Sequence, residues 1–234
     1  MMGIKSSSMC AGILALAMPA QSLAQTATPV VQTDKGKVQG VQQGGVDAFL
    51  GIRYAAPPLG ERRFKRPEPA ATWTGIADAT GPGAPCMQLY SASGPNESAL
   101  TRRIQTIFPT ATEAKTDNED CLFLNVWTPD ATKGKRPVMV WFHGGGYAYG
   151  SGNWPAYNGR NLADKGDVVV VTVNHRLNAF GYLNLAQKFG AEFAESGNVG
   201  NLDLVRSLEW VRDNIAAFGG DPGNVTIMGE SGGG

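Results

Sequence analysis

Runs of consecutive apolar residues constrain the fold of this chain more than any other feature. Residues 168–173 are an unbroken, mostly β-branched run, and residues 138–142 and 225–228 form similar but shorter runs. Strands of this kind suit a parallel sheet that is covered on both faces. Between the runs at residues 168–173 and 225–228, residues 201–218 have the periodicity of an amphipathic helix. The pattern predicts an α/β fold with a mostly parallel sheet and flanking helices.

Both ends of the predicted helix carry sequence signals. Asn201 is a candidate N-cap, and Gly219 is a candidate end because glycine readily adopts the left-handed conformation that terminates many helices. The apolar residues recur at helical spacing and predict a single stripe, formed by Leu204, Leu208, Val211 and Ile215.

The first half of the chain contains shorter strand patterns and long loops. Residues 37–41 and 48–54 are predicted strands around a Gly-Gly turn, and residues 122–127 form another. Four prolines make residues 55–71 an extended loop. Residues 81–118 are rich in Gly, Pro, Ser and Thr and have little periodicity, and we expect this long loop to border a functional site.

Composition and charge exclude some classes of function. The chain has 234 residues, of which 42% are hydrophobic and 17% charged, and its formal net charge is zero. This balance is typical of a globular domain and does not favour a nucleic-acid-binding protein.

The N-terminus carries a targeting pattern. Lys5 precedes a short apolar run at residues 9–18, Pro19 interrupts it, and small residues lead up to Ala24. We interpret residues 1–24 as a secretory signal peptide. Since the run is shorter than the ~20 residues of a bilayer span, residues 25–234 are expected to leave the membrane and be secreted or periplasmic. An uncleaved anchor or a disordered tail is the alternative.

Two of the three cysteines remain once the signal peptide, with Cys10, is removed. An even number in an exported protein favours a disulfide between Cys86 and Cys121, and two buried free thiols are the alternative. No cluster of His and Cys has the spacing of metal ligands, so no metal site is expected.

A serine motif directly follows the predicted strand at residues 225–228. Residues 229–233 read Gly-Glu-Ser-Gly-Gly. A Gly-x-Ser-x-Gly sequence behind a strand is typical of a nucleophile elbow, a tight turn that exposes a serine hydroxyl. Ser231 is therefore the candidate nucleophile, and Glu230 lies beside it.

A second glycine-rich motif follows the strand at residues 138–142. His143, Gly144, Gly145 and Gly146 are consecutive, and such glycines let backbone N–H groups approach the oxyanion that forms during acyl transfer. Gly145 and Gly146, together with Gly232 of the elbow, would make a hole with three donors. The alternative is a flexible glycine turn, but two such motifs, each behind a strand, make coincidence improbable.

Nearly the whole chain after residue 24 resembles a known family. The matching segments are residues 49–58, 63–67, 119–126, 144–146, 174–176 and 218–222, the last leading into the serine motif. They resemble the type-B carboxylesterases, the family that includes cholinesterases and bacterial para-nitrobenzyl esterases. Two positions depart from it: Gly232 stands where alanine is usual, and His175 stands where tyrosine is usual.

The resemblance implies an α/β-hydrolase fold and hydrolysis of small carboxylic esters through an acyl-serine intermediate. No cofactor or metal is expected to take part, and no nucleic-acid or membrane partner is expected once the signal peptide is removed. It also implies a disulfide between Cys86 and Cys121 and a buried ion pair between Arg63 and Glu119.

The acid and the base of a catalytic triad are expected to be absent from this chain. In this fold they follow the serine, whereas the only histidines, His143 and His175, precede it. His143 belongs to the glycine loop, and His175 is expected to satisfy local hydrogen bonds. The chain is therefore interpreted as the N-terminal part of a longer enzyme, truncated just after the elbow and nearly inactive alone.

Three alternatives remain open at this point. The fold also serves as a non-catalytic interaction module, so fold alone does not establish catalysis. An acyltransferase could use the same elbow, and the chain could be an inactive fragment. The specific ester and the oligomeric state have no signal in the sequence.

Overall fold

The computed structural model describes residues 26–88 and 117–234, and the structural statements below concern these residues. The predicted signal peptide, residues 1–24, lies outside them. So does most of the long loop that the sequence predicts at residues 81–118.

The described strands form two sheets. They are β1 (Val31–Gln32), β2 (Lys37–Gln39), β3 (Val41–Gln43), β4 (Val46–Arg53), β5 (Ile76–Asp78), β6 (Phe123–Thr128), β7 (Arg136–Phe142), β8 (Val169–Val173) and β9 (Gly220–Gly229). Strands β1, β2 and β5 make a small sheet, and the larger sheet has the order β3-β4-β6-β8-β7-β9.

The larger sheet is mixed. Its first four strands in spatial order, β3, β4, β6 and β8, pair antiparallel, whereas β8, β7 and β9 pair parallel. Val140 in β7 lies in register with Val171 in β8 and Ile227 in β9. The parallel part contains the three apolar runs. Since parallel neighbours point the same way, the carboxyl ends of β7 and β9 meet at one edge of the sheet.

The described α-helices lie between the parallel strands in the chain. They are α1 (Arg160–Gly166), α2 (Asn178–Tyr182), α3 (Ala186–Phe189) and α4 (Val199–Asn214). Helix α1 connects β7 to β8, and the other three lie between β8 and β9. None of them is both long enough and apolar enough to cross a membrane.

Helix α4 corrects the helix predicted at residues 201–218. Its N-cap is Asn198 rather than Asn201, because Asn201 is already in the first turn and donates its side-chain amide to Asn198 at 2.8 Å. The last predicted turn, Ile215–Phe218, is a 3-10 helix. It ends at Gly219 in the left-handed conformation, with φ at 80°, as the sequence indicates.

The buried face of α4 also differs from the predicted stripe. Val211 is buried as expected, whereas Leu204 and Leu208 are only partly buried. Asp203 and Ser207 occupy fully buried positions instead. A carboxylate takes an apolar position here because it has a charged partner, described below.

The main core lies between the larger sheet and α4. Phe49 of β4 meets Phe218 edge to face with ring centroids 5.0 Å apart, and Trp210 of α4 packs on the same Phe218 ring at 5.7 Å. Such aromatic contacts add about 0.5–1.5 kcal/mol to the burial of the rings themselves. Strand β9 is the outer strand of the sheet, and its Ile227 is 53% exposed.

Candidate active site

Strand β9 ends in a tight turn that carries Ser231. Glu230 is extended, Ser231 has a φ of 53°, and Ser231–Gly233 forms one turn of 3-10 helix. The Gly233 N–H closes this turn by donating to the Glu230 carbonyl oxygen at 2.8 Å. A positive φ is uncommon outside glycine and is found at strained functional turns. The strand and the tight turn around Ser231 are those of a nucleophile elbow, and a single turn of 3-10 helix follows them.

The glycines of the elbow let it pack closely against the end of β7. A β-carbon on Gly233 would overlap the Phe142 carbonyl oxygen and lie 2.8 Å from the His143 carbonyl oxygen. One on Gly229 would overlap the Gly233 carbonyl oxygen. A larger residue at either position would therefore move Ser231 away from the strand.

The segment after β7, residues 144–150, is here called the oxyanion loop. Gly145 and Gly146 have positive φ values of 110° and 61°. A β-carbon on Gly232 would lie 2.9 Å from the Gly146 nitrogen and 3.3 Å from the Tyr147 nitrogen. The elbow and the oxyanion loop are therefore in backbone contact, with Gly232 next to Gly146.

The oxyanion loop folds back on itself. The N–H groups of Ala148 and Tyr149 both donate to the Gly145 carbonyl oxygen, at 3.1 and 3.3 Å. Gly145 has no room for a side chain, because a β-carbon there would overlap the Tyr149 carbonyl oxygen. Asn178 of α2 also donates its backbone N–H to the Tyr147 carbonyl oxygen at 2.6 Å. These contacts fix the backbone whose N–H groups are the candidate donors.

A buried network of polar side chains supports the segment just after the oxyanion loop. The side-chain oxygen of Asn174 accepts hydrogen bonds from the Ser151 hydroxyl at 3.0 Å and the Gly152 N–H at 2.8 Å. Its amide nitrogen donates to the Ala84 carbonyl oxygen at 3.1 Å. Buried polar groups with such partners make a rigid and specific structure. The neighbouring side chains of the same network are Asn125, Asn153 and Thr172.

The two histidines stack beneath the oxyanion loop. The rings of His143 and His175 are 4.7 Å apart and nearly parallel, and each side chain is buried. Their Nδ1 atoms lie 2.8 Å from the Gly144 carbonyl oxygen and 3.1 Å from the Arg176 carbonyl oxygen, respectively. His143 Nε2 is buried without a hydrogen-bond partner among the described residues.

Burial lowers the pKa of both histidines. It brings the pKa of His143 to about 4, and burial, with a smaller contribution from the charge of His143, brings that of His175 to about 3. Both rings are therefore neutral at pH 7. Among the described hydrogen bonds, neither ring reaches the Ser231 hydroxyl, so neither is placed as the base of a triad.

Glu230 is exposed beside the candidate nucleophile. Its carboxylate and its carbonyl oxygen lie against Gly144, where a β-carbon would overlap the Oε2 atom. Burial and, secondly, the negative charge of Glu230 raise the pKa of Tyr157. Glu230 therefore contributes a negative potential to this part of the site. No cluster of three or more potential metal ligands occurs among the described His, Cys, Asp and Glu residues.

The predicted disulfide is present. Cys86 and Cys121 are joined, with an S–S distance of 2.01 Å, and both are buried. The structure thus favours the disulfide over two free thiols.

The predicted ion pair between Arg63 and Glu119 also forms, but it is not buried. The guanidinium makes two hydrogen bonds to the carboxylate, at 2.5 and 2.8 Å. The side chains remain 42% and 21% exposed. The prediction of a buried pair is wrong in this respect, because Arg63 lies in an open surface loop.

The buried ion pair of this region is instead formed by Arg176 and Asp203, whose side chains are 4% and 0% exposed. Asp203 of α4 accepts hydrogen bonds from the backbone N–H, Nε and Nη2 of Arg176, at 3.0, 2.8 and 2.7 Å. Arg176 directly follows His175 and donates a further bond to the Lys65 carbonyl oxygen at 2.9 Å. The pair connects α4 to the histidines. The only sequence signal for this ion pair was Asp203, a charged residue next to the apolar stripe of the helix.

Comparison with known proteins identifies the family. The model of the carboxylesterase family matches residues 27–234. The chain belongs to the carboxylesterase family. This confirms the resemblance that the sequence motifs indicate.

Several curated relatives and solved structures are similar. Para-nitrobenzyl esterase of Bacillus subtilis is 45% identical over 205 residues, which is 88% of this chain and 38% of that protein. A solved carboxylesterase of Geobacillus stearothermophilus, also 45% identical, has a TM-score of 0.76 and is matched over 87% of this chain and 38% of that one. Neuroligin-2 of Mus musculus is 38% identical over 91% of this chain and 28% of that protein.

These similarities confirm the α/β-hydrolase fold predicted from the sequence. The chain spans about 38% of the length of the bacterial relatives that it matches.

Proposed function

We propose that this chain supplies the nucleophile and the oxyanion hole of a serine carboxylic-ester hydrolase, as the N-terminal portion of a longer enzyme. The observation that carries the proposal is Ser231 at a φ of 53° in a glycine-packed turn, in backbone contact with the oxyanion loop. The carboxylesterase family model supports it.

The reaction begins when Ser231 Oγ attacks the carbonyl carbon of a small carboxylic ester. The carbonyl oxygen becomes negative and accepts hydrogen bonds from the N–H groups of Gly145, Gly146 and Gly232. The tetrahedral intermediate then expels the alcohol and leaves an acyl-serine, which water hydrolyses to the free acid and Ser231. Each lost oxyanion donor would raise the barrier by about 2.7–4 kcal/mol.

The proton of Ser231 needs a base. His143 and His175 are buried, stacked on each other and turned toward the carbonyl oxygens of Gly144 and Arg176. We therefore propose that the triad acid and base lie outside this 234-residue sequence, which contains only these two histidines. Residual catalysis by the chain alone would be limited to about 10³–10⁴-fold over water, from binding and the oxyanion hole.

The test is hydrolysis of para-nitrophenyl acetate by the complete gene product and by the 234-residue chain. We expect turnover by the complete product, a loss on the order of 10⁶-fold on Ser231→Ala, and little turnover by the chain alone. Mass spectrometry should find a trapped acetyl group on the peptide that contains Ser231. Thr72→Ala removes an exposed hydroxyl in another part of the molecule and should change nothing. Normal enzymatic turnover by the 234-residue chain would contradict the assignment of the base.

The rival function is that of a non-catalytic interaction module. The fold does not exclude it, since one fold can host unrelated functions. A complete gene product that hydrolyses none of a panel of simple esters, and does not acylate Ser231, would decide for this rival. An acyltransferase would instead show preferential transfer of the acyl group to added alcohol over water.

We propose further that the protein is secreted or periplasmic, with residues 1–24 removed as a signal peptide. The disulfide between Cys86 and Cys121 supports an oxidising compartment. N-terminal sequencing of the exported protein should begin at Gln25. An N-terminus that retains residues 1–24 would contradict this assignment.

A further inference from the structure

The side chain of Gln88 holds one end of the oxyanion loop. Its Nε2 donates to the Gly150 carbonyl oxygen at 3.0 Å, and its Oε1 accepts from the Gly150 N–H at 2.8 Å. The same Nε2 also donates to the Cys86 carbonyl oxygen at 3.1 Å. One amide therefore satisfies both backbone groups of Gly150, although the two residues are 62 positions apart.

Gly150, the last residue of the oxyanion loop, packs tightly against the start of that loop. It has a φ of 119°, and a β-carbon there would lie 2.5 Å from the Gly144 carbonyl oxygen and 2.8 Å from the Cε1 of His143. It directly follows Tyr149, whose N–H donates to the Gly145 carbonyl oxygen. Fixing Gly150 thus fixes the turn that begins at the candidate donors, Gly145 and Gly146.

Gln88 is itself anchored by its neighbours in the chain. Cys86 is bonded to Cys121, and the Met87 carbonyl oxygen accepts a hydrogen bond from Asn178 Nδ2 at 2.7 Å. The backbone N–H of the same Asn178 donates to the Tyr147 carbonyl oxygen. The segment 86–88 therefore holds the oxyanion loop directly at Gly150, through Gln88, and indirectly at Tyr147, through Asn178.

We propose that Gln88 is a positioning residue for the oxyanion hole. It does not contact the reacting atoms, but it fixes the loop so that the N–H groups point to where the oxyanion forms. The proposal rests on the proposed ester hydrolysis. Preorganised donors stabilise the transition state because they need no reorientation during the reaction, and small displacements are costly.

The kinetic test uses the complete gene product and para-nitrophenyl acetate. Gln88→Leu removes both hydrogen bonds to Gly150 and should lower kcat by about 10–100-fold while KM changes less than about threefold, since the lost stabilisation acts mainly in the transition state. Gln88→Glu keeps the acceptor for the Gly150 N–H and should be intermediate. The matched control is Gln39→Leu, because Gln39 donates one hydrogen bond to a backbone carbonyl, that of Thr28, at 2.9 Å. It should leave kcat unchanged.

The structural readout is amide hydrogen exchange of peptides that cover residues 144–150. We expect Gln88→Leu to accelerate exchange there by at least about fivefold, because the lost hydrogen bonds free the loop for local opening. Gln39→Leu should not accelerate exchange in residues 144–150. If Gln88→Leu folds poorly, the same exchange is measured in Gln88→Glu.

The two readouts separate this proposal from the proposed function. If the wild-type protein hydrolyses no ester but Gln88→Leu accelerates exchange of the loop, the proposed function fails and the contact of Gln88 with the loop stands. Unchanged loop exchange in Gln88→Leu overturns the inference whatever the activity. Faster exchange with unchanged kcat overturns the positioning role while ester hydrolysis stands.

Discussion

The oxyanion loop and the nucleophile elbow form two sides of one site, but different interactions hold them. The loop rests on buried side chains: the stacked pair of His143 and His175 lies beneath it, and Gln88 fixes its end at Gly150. The elbow instead packs against the end of β7, with no room for a β-carbon at Gly233. Its position depends on main-chain fit against β7.

This difference separates two ways of placing a reactive group. Ser231 is placed by its own backbone conformation and by neighbouring glycines, all within a few residues. The loop is held by residues from elsewhere in the chain: Gln88 beside the disulfide bonds to Gly150, Asn178 of α2 donates its backbone N–H to Tyr147, and His175 stacks on His143. The loop should therefore respond to substitutions that are remote in sequence, whereas the elbow should respond to its own residues.

The largest effect on stability is expected from Asp203→Asn, beneath the loop. This change leaves the Arg176 guanidinium buried and without its counter-charge, which costs about 3–5 kcal/mol. Urea unfolding at pH 7 measures it. Glu119→Gln is the matched control, since its Arg63 partner is 42% exposed and exposed pairs contribute little to stability. Equal losses in the two variants would contradict the contrast in burial.

Gly145→Ala should damage the loop directly. A β-carbon there would overlap the Tyr149 carbonyl oxygen, and the φ of 110° is strained for alanine. The loop must open, and the loss of an aligned donor lowers kcat by about 10²–10³-fold. Steady-state kinetics of the complete gene product check this. An unchanged kcat would show that the loop is not the oxyanion hole.

Acid should destabilise the protein through the stacked histidines. Their pKa values, about 4 for His143 and about 3 for His175, lie below the ordinary 6.5. As the pH falls below ~6.5 the unfolded chain binds protons that the folded chain does not, so stability falls until the pH reaches the folded pKa values. Above pH ~6.5 these groups contribute no pH dependence. His143 alone accounts for about 3 kcal/mol between pH ~6.5 and ~4.

Unfolding free energies measured across this pH range test the effect. His175→Phe keeps a ring to stack on His143 and removes one titrating group, so its stability should fall less steeply with acid than that of the wild type. Parallel pH profiles for the two proteins would contradict the assignment.

The smallest effect is expected from Gly232→Ala. Like Gly145→Ala, it replaces a glycine by alanine, but on the elbow side of the site. A β-carbon at Gly232 would lie 2.9 Å from the Gly146 nitrogen, so the backbone must shift there, but by much less than the overlap at Gly145 demands. Gly232 does not have a positive φ. We expect kcat to change by less than about tenfold, which is under about 1.4 kcal/mol. A loss as large as that of Gly145→Ala would show that both sides of the site are equally intolerant.

The sequence predicted the parallel strands well because their signals are local. The apolar runs correspond to β7, β8 and β9 within a few residues. The helix before β9 was predicted less well. Its buried face includes Asp203, and a periodicity argument treats a carboxylate as a surface residue until its partner is known. Only the folded chain brings Arg176 to it.

The two ion pairs show the same limit. Family resemblance indicated the pair of Arg63 and Glu119 correctly, but it did not show that the pair is partly exposed. Burial depends on everything that packs around a contact, and no motif contains that information.

Sequence patterns were enough to indicate the family, the α/β fold, the candidate nucleophile Ser231 and its neighbouring glycines. These features follow from short segments, because a strand, a tight turn and the need for glycine are properties of neighbouring residues. The tertiary structure alone decided that Gln88 meets Gly150, that the two histidines stack, and that Asp203 is buried with Arg176. These contacts join residues 27 to 62 positions apart. They exist only once the sheet and its helices have brought distant parts of the chain together.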